Sequence, residues 1–205
     1  MNTSLCPLID GDVLAYRRGF AADSQAKKEL GDDYLNHDYL TWALANVKTI
    51  IHTILFETFP NHTYYRLFLS GKDNFREHLA TIKPYKGNRD PNHKPKYYRE
   101  IKDYMIETWN AEVIDGMEAD DAIGIAQYEN KDKSTVIVSN DKDLDGIPGY
   151  HFNWTKSLFY YVNINEANLN FLGQMLQGDN TDNIPGITGV GPKTIAALIA
   201  KCNND

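Results

Sequence analysis

The sequence predicts an α/β fold in which a parallel sheet is flanked by helices. Short apolar runs alternate with longer segments whose apolar residues recur at helical spacing, and one short run, Thr135–Val138, is strongly β-branched. The 205 residues, 42% of them hydrophobic and 24% charged, are also enough to bury a core without disulfides or metals as staples. This composition excludes a disordered, collagen-like or coiled-coil protein.

The first half of the chain is predicted to hold three strands and one long helix. Apolar residues recur every three or four positions along that helix, and a proline follows it. The first strand ends at Asp10-Gly11-Asp12, and the third strand is the weakest. The predicted elements are a strand at Ser4–Ile9, a helix at Tyr39–Phe59, and strands at Tyr65–Leu69 and Glu112–Ile114.

The second half is predicted to alternate helices with further strands. The β-branched run is typical of a buried strand, and two later runs can pair with each other as edge strands. The predicted elements are a helix at Glu118–Glu129, strands at Thr135–Val138, Tyr150–Phe152 and Leu158–Val162, and helices at Glu166–Leu176 and Lys193–Lys201.

Cysteine usage and the first residues of the chain suggest a cytoplasmic protein. Cys6 and Cys202 are far apart and form no C-x-x-C pattern, which argues against a disulfide scaffold or a zinc knuckle. The start of the chain lacks the basic and apolar regions of a signal peptide. No run approaches the roughly 20 apolar residues of a membrane span, so no membrane partner is expected.

Acidic residues gather where the predicted strands end. Because parallel strands end at one edge of a sheet, these carboxylates are expected to share a rim. Each group alone has a plainer interpretation, as a turn or as acids that complement a helix dipole. Together they repel one another unless hard cations such as Mg²⁺ or Mn²⁺ neutralise them. The candidates are Asp10, Asp12, Glu118, Asp120, Asp121, Asp141, Asp143 and Asp145, with Asp179 and Asp182 as either turn caps or further members.

Positive charge is concentrated in one segment of an otherwise acidic chain. The net charge is −7, but Lys83–Lys102 (the basic segment) carries seven basic and two acidic residues. Cations interleaved with aromatics are typical of surfaces that bind single-stranded nucleic acid, although a solvated charge run is the alternative. The stretch Pro84–Pro95 has no helical periodicity and is predicted to be a loop.

The sequence from Gly186 to Ile199 predicts a glycine-rich turn followed by a helix. Pro192 is placed to begin that helix, and backbone N–H groups at its start can grip a phosphate without reading sequence. The alternative is an ordinary helix–turn–helix hairpin that only packs in the hydrophobic core. A β-branched residue in place of Gly191 would be strained if the turn needs a positive φ there.

Four motifs occur in an order that resembles the 5′-nuclease superfamily. They are LIDGD (8–12), YKGNR (85–89), EADD (118–121) with SNDKD (139–143), and GDNTDNIPGITGVGPKT (178–194). The superfamily includes bacteriophage 5′–3′ exonucleases, flap endonucleases and the 5′-nuclease domain of bacterial DNA polymerase I, and the phage exonucleases are the most similar branch. The resemblance implies a PIN-like fold with a helical arch or loop and a C-terminal helix–three-turn–helix.

The resemblance also implies a site and its ligands. Two Mg²⁺ or Mn²⁺ ions, roughly 4 Å apart, would hydrolyse DNA from 5′ ends, and a K⁺ ion would lie at the helix–three-turn–helix. DNA with 5′ ends or flaps is the expected partner of a monomer. The implied metal ligands are Asp10, Glu118, Asp120, Asp121, Asp141, Asp143, Asp179 and Asp182. Lys86 and Arg89 would act with Asp10, Glu118, Asp120 and Asp141 in catalysis, and DNA would contact Tyr85, Lys86, Arg89, Gly189, Gly191 and Lys193.

The implied domains are residues 1–165, the catalytic domain with residues 83–102 as arch or clamp, and residues 166–205, the DNA-binding region. The chain departs from the superfamily at Leu69-Ser70-Gly71, where relatives often carry an acid, and it ends soon after the second hairpin helix, as a trimmed or short form would. A PIN-type ribonuclease and a non-catalytic, structure-specific DNA-binding protein are the alternatives.

Overall fold

A six-stranded sheet runs through the centre of the computed structural model, which describes residues 5–58, 64–130 and 135–202. The strand order is β3-β2-β1-β4-β5-β6, and every neighbouring pair is parallel except β5 and β6. The predicted parallel sheet is therefore confirmed, as is the pairing of the last two strands. The strands are β1 (Cys6–Asp10), β2 (Arg66–Ser70), β3 (Glu112–Ile114), β4 (Thr135–Val138), β5 (Gly149–Asn153) and β6 (Leu158–Val162).

Seven helices surround this sheet in the described part of the chain. A two-stranded ribbon of β7 (Gly178–Asp179) and β8 (Ile184–Pro185) lies between the last two helices. No helix within the described ranges is long and apolar enough to span a membrane. The helices are α1 (Gly11–Leu30), α2 (Leu40–Thr58), α3 (Phe75–Leu79), α4 (Tyr98–Trp109), α5 (Ala119–Glu129), α6 (Ile164–Gln177) and α7 (Pro192–Cys202).

The two faces of the sheet bury different helices because side chains alternate along each strand. Ile9 and Val138 point into the core formed with α1, α2 and α4. Leu8, Phe68 and Ile137 point to the opposite face, where α5 packs. The α5 side is the smaller of the two cores. The sheet is thus covered on both faces, and its strand ends at Asp10 and Ser139 deliver polar side chains to one rim.

Three helices, α1, α3 and α4, were absent from the sequence-based prediction. Helix α1 starts directly after β1, so the predicted end at Asp10-Gly11-Asp12 is a helix start: Asp10 Oδ1 accepts a hydrogen bond from Val13 N at 3.0 Å. Helix α4 begins at Tyr98, inside the basic segment, whereas residues 83–97 form turns. The prediction allowed either a helical arch or a loop over this stretch, and the structure shows a loop.

The other predicted boundaries agree with the structure within a few residues. Ser4 and Phe59, at the ends of two predicted elements, lie outside the described residues, as do residues 203–205. The division into domains at residue 165 stays a prediction. At the glycine-rich turn, the positive φ of 82° falls at Gly189, and Gly191 does not adopt one.

Candidate metal and nucleic-acid site

Asp10 lies fully buried at the end of β1, beside the end of β4. Its Oδ2 accepts a hydrogen bond from Ser139 Oγ at 2.7 Å. Burial, with added repulsion from Asp12 and Asp141, raises the pKa of Asp10 to about 7, although its hydrogen bonds from Val13 N and Ser139 Oγ act to lower it. An ionised Asp10 is therefore costly in the absence of a cation.

Asp120, in the first turn of α5, belongs to the same electrostatic group. Burial, together with the negative charges of Asp10, Asp141 and Glu118, raises the pKa of Asp120 to about 8. Among the described residues, the Asp120 carboxylate has no hydrogen-bond or ion-pair partner. The mutual effects show that the ends of β1, β4 and α5 converge, as predicted. We call Asp10, Glu118, Asp120 and Asp141 the carboxylate cluster.

Asp141 and Asp143 follow β4 in a short 3₁₀ turn. Asp141 Oδ1 caps this turn by accepting from Asp143 N at 3.0 Å, and Asp143 Oδ1 accepts from Gln174 Nε2 of α6 at 2.7 Å. Burial, and then the charges of Asp141 and Asp179, raise the pKa of Asp143. Asp143 therefore connects the carboxylate cluster to Asp179, at the end of β7.

Glu118 and Asp121 differ from Asp10 and Asp120 because cations already neutralise them. Arg76 binds both carboxylate oxygens of Asp121, with Arg76 Nη2 to Asp121 Oδ1 at 2.7 Å. Burial favours a higher pKa for Asp121, but the bond and charge of Arg76 leave the pKa below its ordinary value. Lys86 Nζ forms a short ion pair with Glu118, and Tyr85 Oη donates to Glu118 Oε2 at 2.7 Å. These acids begin α5 as a capping box.

The first part of the basic segment is fastened to the chain between β7 and β8. Tyr85 Oη lies 2.7 Å from Asp182 Oδ2 as well as from Glu118, and Arg89 forms an ion pair with Asp182. Two further hydrogen bonds add to this contact: Lys86 N donates to Asp182 O at 2.9 Å, and the side-chain Nδ2 of Asn183 donates to Pro84 O at 2.9 Å. Three of the six residues predicted to contact DNA, Tyr85, Lys86 and Arg89, are thus held over the acidic rim.

For Asp179 and Asp182 the sequence left two roles open, as turn caps or as further members of the acidic group. Asp179 Oδ1 accepts from Thr181 N at 2.6 Å, which is a turn cap, yet its charge acts on Asp143. Asp182 faces the carboxylate cluster through Tyr85. Farther along, Gly189 and Lys193 are exposed, and Lys193 lies in the first turn of α7. In the described residues, Gly189, Gly191 and Lys193 form no hydrogen bond or ion pair with the carboxylate cluster.

The donor set fits hard divalent cations in its chemistry. Buried carboxylates that raise one another's pKa values are the environment that a divalent ion relieves, and every candidate donor is oxygen. Within residues 5–58, 64–130 and 135–202, no group of three or more acidic, histidine or cysteine side chains is already arranged to hold a metal ion. Glu118 is turned toward Lys86, so a shared ion requires this ion pair to open.

Several side chains that support the site were missed by the sequence analysis. Asp12, noted at the rim but left out of the predicted ligands, accepts from Ser70 N at 2.8 Å and lies 3.1 Å from Lys102 Nζ. Ser70, the last residue of β2, accepts from Ala119 N at 2.9 Å through its Oγ and so ties α5 to β2. Asp12 was visible in the IDGD motif, whereas nothing in the sequence pointed to Arg76.

A family model and curated relatives match most of the chain. The model described as "5'-3' exonuclease, N-terminal resolvase-like domain" matches residues 6–164. A 5′–3′ exonuclease of Buchnera aphidicola is 27% identical over 96% of this chain and 70% of its own length. DNA polymerase I of Bacillus subtilis is 32% identical over 94% of this chain, which spans only 23% of that polymerase.

Solved structures of a bacteriophage T5 nuclease share the fold. The T5 flap endonuclease in a complex with DNA and metal ions is 19% identical, with a TM-score of 0.66 over 96% of this chain and 74% of its own. The T5 5′-exonuclease with bound zinc is 17% identical, with a TM-score of 0.72 over the same shares. The family match covers more than three quarters of the chain and includes the ends of β1, β4 and α5. The chain therefore belongs to the family of the 5′–3′ exonuclease N-terminal resolvase-like domain.

Proposed function

We propose that this protein is a divalent-metal-dependent 5′–3′ exonuclease and structure-specific flap endonuclease that hydrolyses DNA phosphodiesters from 5′ ends. The observation that carries the proposal is that Asp10 at the end of β1, Asp141 after β4 and Asp120 at the start of α5 lie at one rim, where burial and one another's charges raise the pKa values of Asp10 and Asp120. The family membership, the names of the relatives and the T5 complex with DNA and metal ions support it.

The metal ligands in this proposal are the carboxylates that converge on the rim. Asp10, Glu118, Asp120 and Asp141 would hold two Mg²⁺ or Mn²⁺ ions directly, and Asp121, Asp143, Asp179 and Asp182 would do so directly or through water. When bound, such ions activate water and stabilise the leaving oxygen of a phosphodiester. The neutralised rim also lets a polyanionic substrate approach a chain of net charge −7.

Lys86 and Arg89 supply the cations on the substrate side of the rim. Both are now paired with carboxylates, Lys86 with Glu118 and Arg89 with Asp182. We propose that both exchange these partners for the scissile phosphate when cations occupy the rim. Tyr85 would follow, because its hydroxyl bridges the same two acids. In this exchange the cations of Lys86 and Arg89 have an anionic partner both before DNA binds, when it is a carboxylate, and afterwards, when it is the phosphate.

The duplex would be held by a second region. The glycine-rich turn at Gly189 and Gly191, with Lys193 at the start of α7, would bind DNA phosphates through backbone N–H groups and a point charge, and a K⁺ ion would be bound there. In this proposal residues 1–165 form the catalytic domain and residues 166–205 the DNA-binding region of a monomer that acts in the cytoplasm.

A cleavage assay tests the proposal. Parent protein is incubated with 5′-labelled duplex and flap DNA, in Mg²⁺ and separately in EDTA, beside Asp120→Asn. We expect cleavage from the 5′ end in Mg²⁺, none in EDTA, and a loss of at least about a hundredfold in the variant. Asp103→Asn, on the exposed side of α4, is the matched control and should cleave as the parent does.

Three outcomes would contradict this account. Cleavage that continues in EDTA would show that the reaction does not need a metal ion. A preference for RNA over DNA of matching structure would indicate a PIN-type ribonuclease. DNA binding without any cleavage by the parent indicates a non-catalytic binding protein.

A further inference from the structure

Helix α6 contacts the short turn after β4, which carries two of the proposed metal ligands. We call this turn, residues 141–146, the acidic turn. Gln174 Nε2 donates to Asp143 Oδ1 at 2.7 Å. One helical turn earlier, Asn170 Nδ2 donates to the backbone oxygen of Asp145 at 3.1 Å, so both amides lie on one side of α6. No role proposed above uses either amide.

The two amides hold different parts of the acidic turn. Asp145 is held at two points, because Asn170 bonds to its backbone oxygen and Tyr160 Oη donates to its carboxylate at 2.7 Å. These contacts fix the path of the backbone. Gln174 instead bonds to a side-chain oxygen of Asp143, and among the described residues no other side chain donates a hydrogen bond to that carboxylate. The effect of Gln174 is therefore on the direction in which the Asp143 carboxylate points.

The donor to Asp143 is a neutral amide, whereas several other proposed ligands are bonded to cations. Lys86 pairs with Glu118, and Arg89 pairs with Asp182. Each of these cations has to leave before its carboxylate can bind a metal ion. An amide carries no charge, so it orients a carboxylate and leaves the negative charge available to a cation.

The Gln174 side chain lies against the end of the acidic turn. A Cβ added at Gly146 would stand 4.0 Å from Gln174 Oε1 and 3.9 Å from Phe171 Cβ, so α6 packs directly on the turn. Gln174 is itself half-buried. A donor held in this way keeps Asp143 oriented before an ion arrives, and a preset ligand loses less entropy on binding. Hydrogen-bond partners of metal ligands typically contribute about 10–100-fold to the affinity for the ion.

We propose that Gln174 is a positioning residue for divalent-ion binding. Its amide orients the Asp143 carboxylate through Oδ1, and Oδ2, which has no hydrogen-bond partner among the described residues, is left for the cation. In this role Gln174 touches neither the ion nor the DNA. The inference rests on the proposed function in taking Asp143 as a metal ligand, and it assigns the residue that fixes the orientation of that ligand.

Mn²⁺ binding, followed by electron paramagnetic resonance in the absence of DNA, measures the effect apart from cleavage. Gln174→Met keeps the length and the helix propensity of the side chain and removes the donor. It should weaken the binding of one Mn²⁺ ion by about tenfold or more. Gln177→Met is the matched control, because it makes the same change at an exposed position of α6, and it should bind Mn²⁺ as the parent does.

A double-mutant cycle with Asp143→Asn distinguishes positioning from a structural effect. If Gln174 acts through Asp143, Gln174→Met should cause no further loss of Mn²⁺ affinity in the Asp143→Asn protein. A general loosening of the fold would lower the affinity by the same factor with and without Asp143→Asn. Urea unfolding of each variant reports on folding, and Gln174→Ala takes the place of Gln174→Met if the latter unfolds.

A crystal structure of metal-free Gln174→Met gives a readout that does not depend on the ion. The Asp143 carboxylate should turn away from its orientation in the parent or occupy more than one orientation. The backbone of the acidic turn should stay in place, because Asn170 and Tyr160 still hold it.

Parent-like Mn²⁺ affinity of Gln174→Met would overturn the inference. So would an equal loss in the Asp143→Asn background, or an Asp143 carboxylate that keeps its orientation in Gln174→Met. A parent that binds no Mn²⁺ and cleaves no DNA refutes the proposed function and this inference with it. A parent that binds Mn²⁺ and cleaves DNA, beside a Gln174→Met protein that binds Mn²⁺ equally well, refutes this inference only.

Discussion

Replacing Asp10 with asparagine is expected to stabilise the metal-free protein at pH 8, although Asp10 is a proposed metal ligand. Burial, with added repulsion from Asp12 and Asp141, raises its pKa in the folded protein to about 7. An aspartate in the unfolded chain titrates near about 3.9. Between these pH values the folded protein keeps a proton that the unfolded chain has released, so the stabilisation is complete below pH ~4 and is lost as pH rises through ~7.

The expected size follows from the two pKa values. The free energy of unfolding falls by about 1.4 kcal/mol for each pH unit over which the folded state holds one extra proton, which gives a loss on the order of 4 kcal/mol by pH 8. Asp120, with its pKa raised to about 8, adds a loss in the same direction, and the two carboxyls share their repulsion. Asparagine carries no charge, and its side chain can still accept the hydrogen bond from Val13 N that caps α1. The variant therefore avoids the loss of unfolding free energy that ionisation of Asp10 causes.

Urea unfolding in EDTA at pH 5 and pH 8 measures this effect. The parent should lose stability over this interval, and Asp10→Asn should lose less and exceed the parent at pH 8 by up to about 4 kcal/mol. Mg²⁺ should restore stability to the parent more than to the variant. Asp103→Asn, an exposed control, should stay within about 0.5 kcal/mol of the parent. A parent equally stable at both pH values, or a variant less stable than the parent at pH 8, would refute the reasoning.

Two further predictions concern DNA and one concerns the glycine-rich turn. Lys86→Ala should lower single-turnover cleavage on the order of a hundredfold with little change in DNA affinity, because a cation at the scissile phosphate acts mainly in the transition state; an unchanged rate would make the basic segment a solvated charge run. Lys193→Ala should weaken binding equally for two unrelated duplexes and reduce the salt slope by about one, and a loss confined to one sequence would contradict this. Gly189→Val should destabilise the protein by roughly 1–3 kcal/mol in urea unfolding, because φ there is 82°, whereas Gly191→Val should cost less; the reverse order would show that the turn has another geometry.

The sheet was predictable because its buried positions carry large or β-branched side chains. Ile9, Ile137 and Val138 are all at most 1% exposed, and such residues give the strongest strand signal. Helix α1 was missed because several of its buried positions are small, such as Gly19 and Ala22, and small residues give almost no hydropathy contrast. Their size serves packing, which a single sequence does not reveal.

The rim of carboxylates was predictable for a topological reason, and the partners of those carboxylates were not. Parallel strands end at one edge, so the position of Asp10 after β1 and of Asp141 after β4 is enough to bring them together. The bond between Arg76 and Asp121 joins residues 45 positions apart, and that between Tyr85 and Asp182 joins residues 97 apart. Such contacts depend on the packed fold and leave no periodic trace in the sequence.

Anomalous diffraction from a crystal soaked with Mn²⁺ tests most directly the central claim that the carboxylate cluster is a cation site. The account predicts a Mn²⁺ peak within about 2.0–2.6 Å of oxygens from Asp10, Asp120 or Asp141, the range of hard-cation ligation. It also predicts that Glu118 turns away from Lys86 toward the ion, and that Asp120→Asn weakens the peak. A crystal in which Mn²⁺ binds only elsewhere on the surface, with Lys86 still paired to Glu118, would contradict the account.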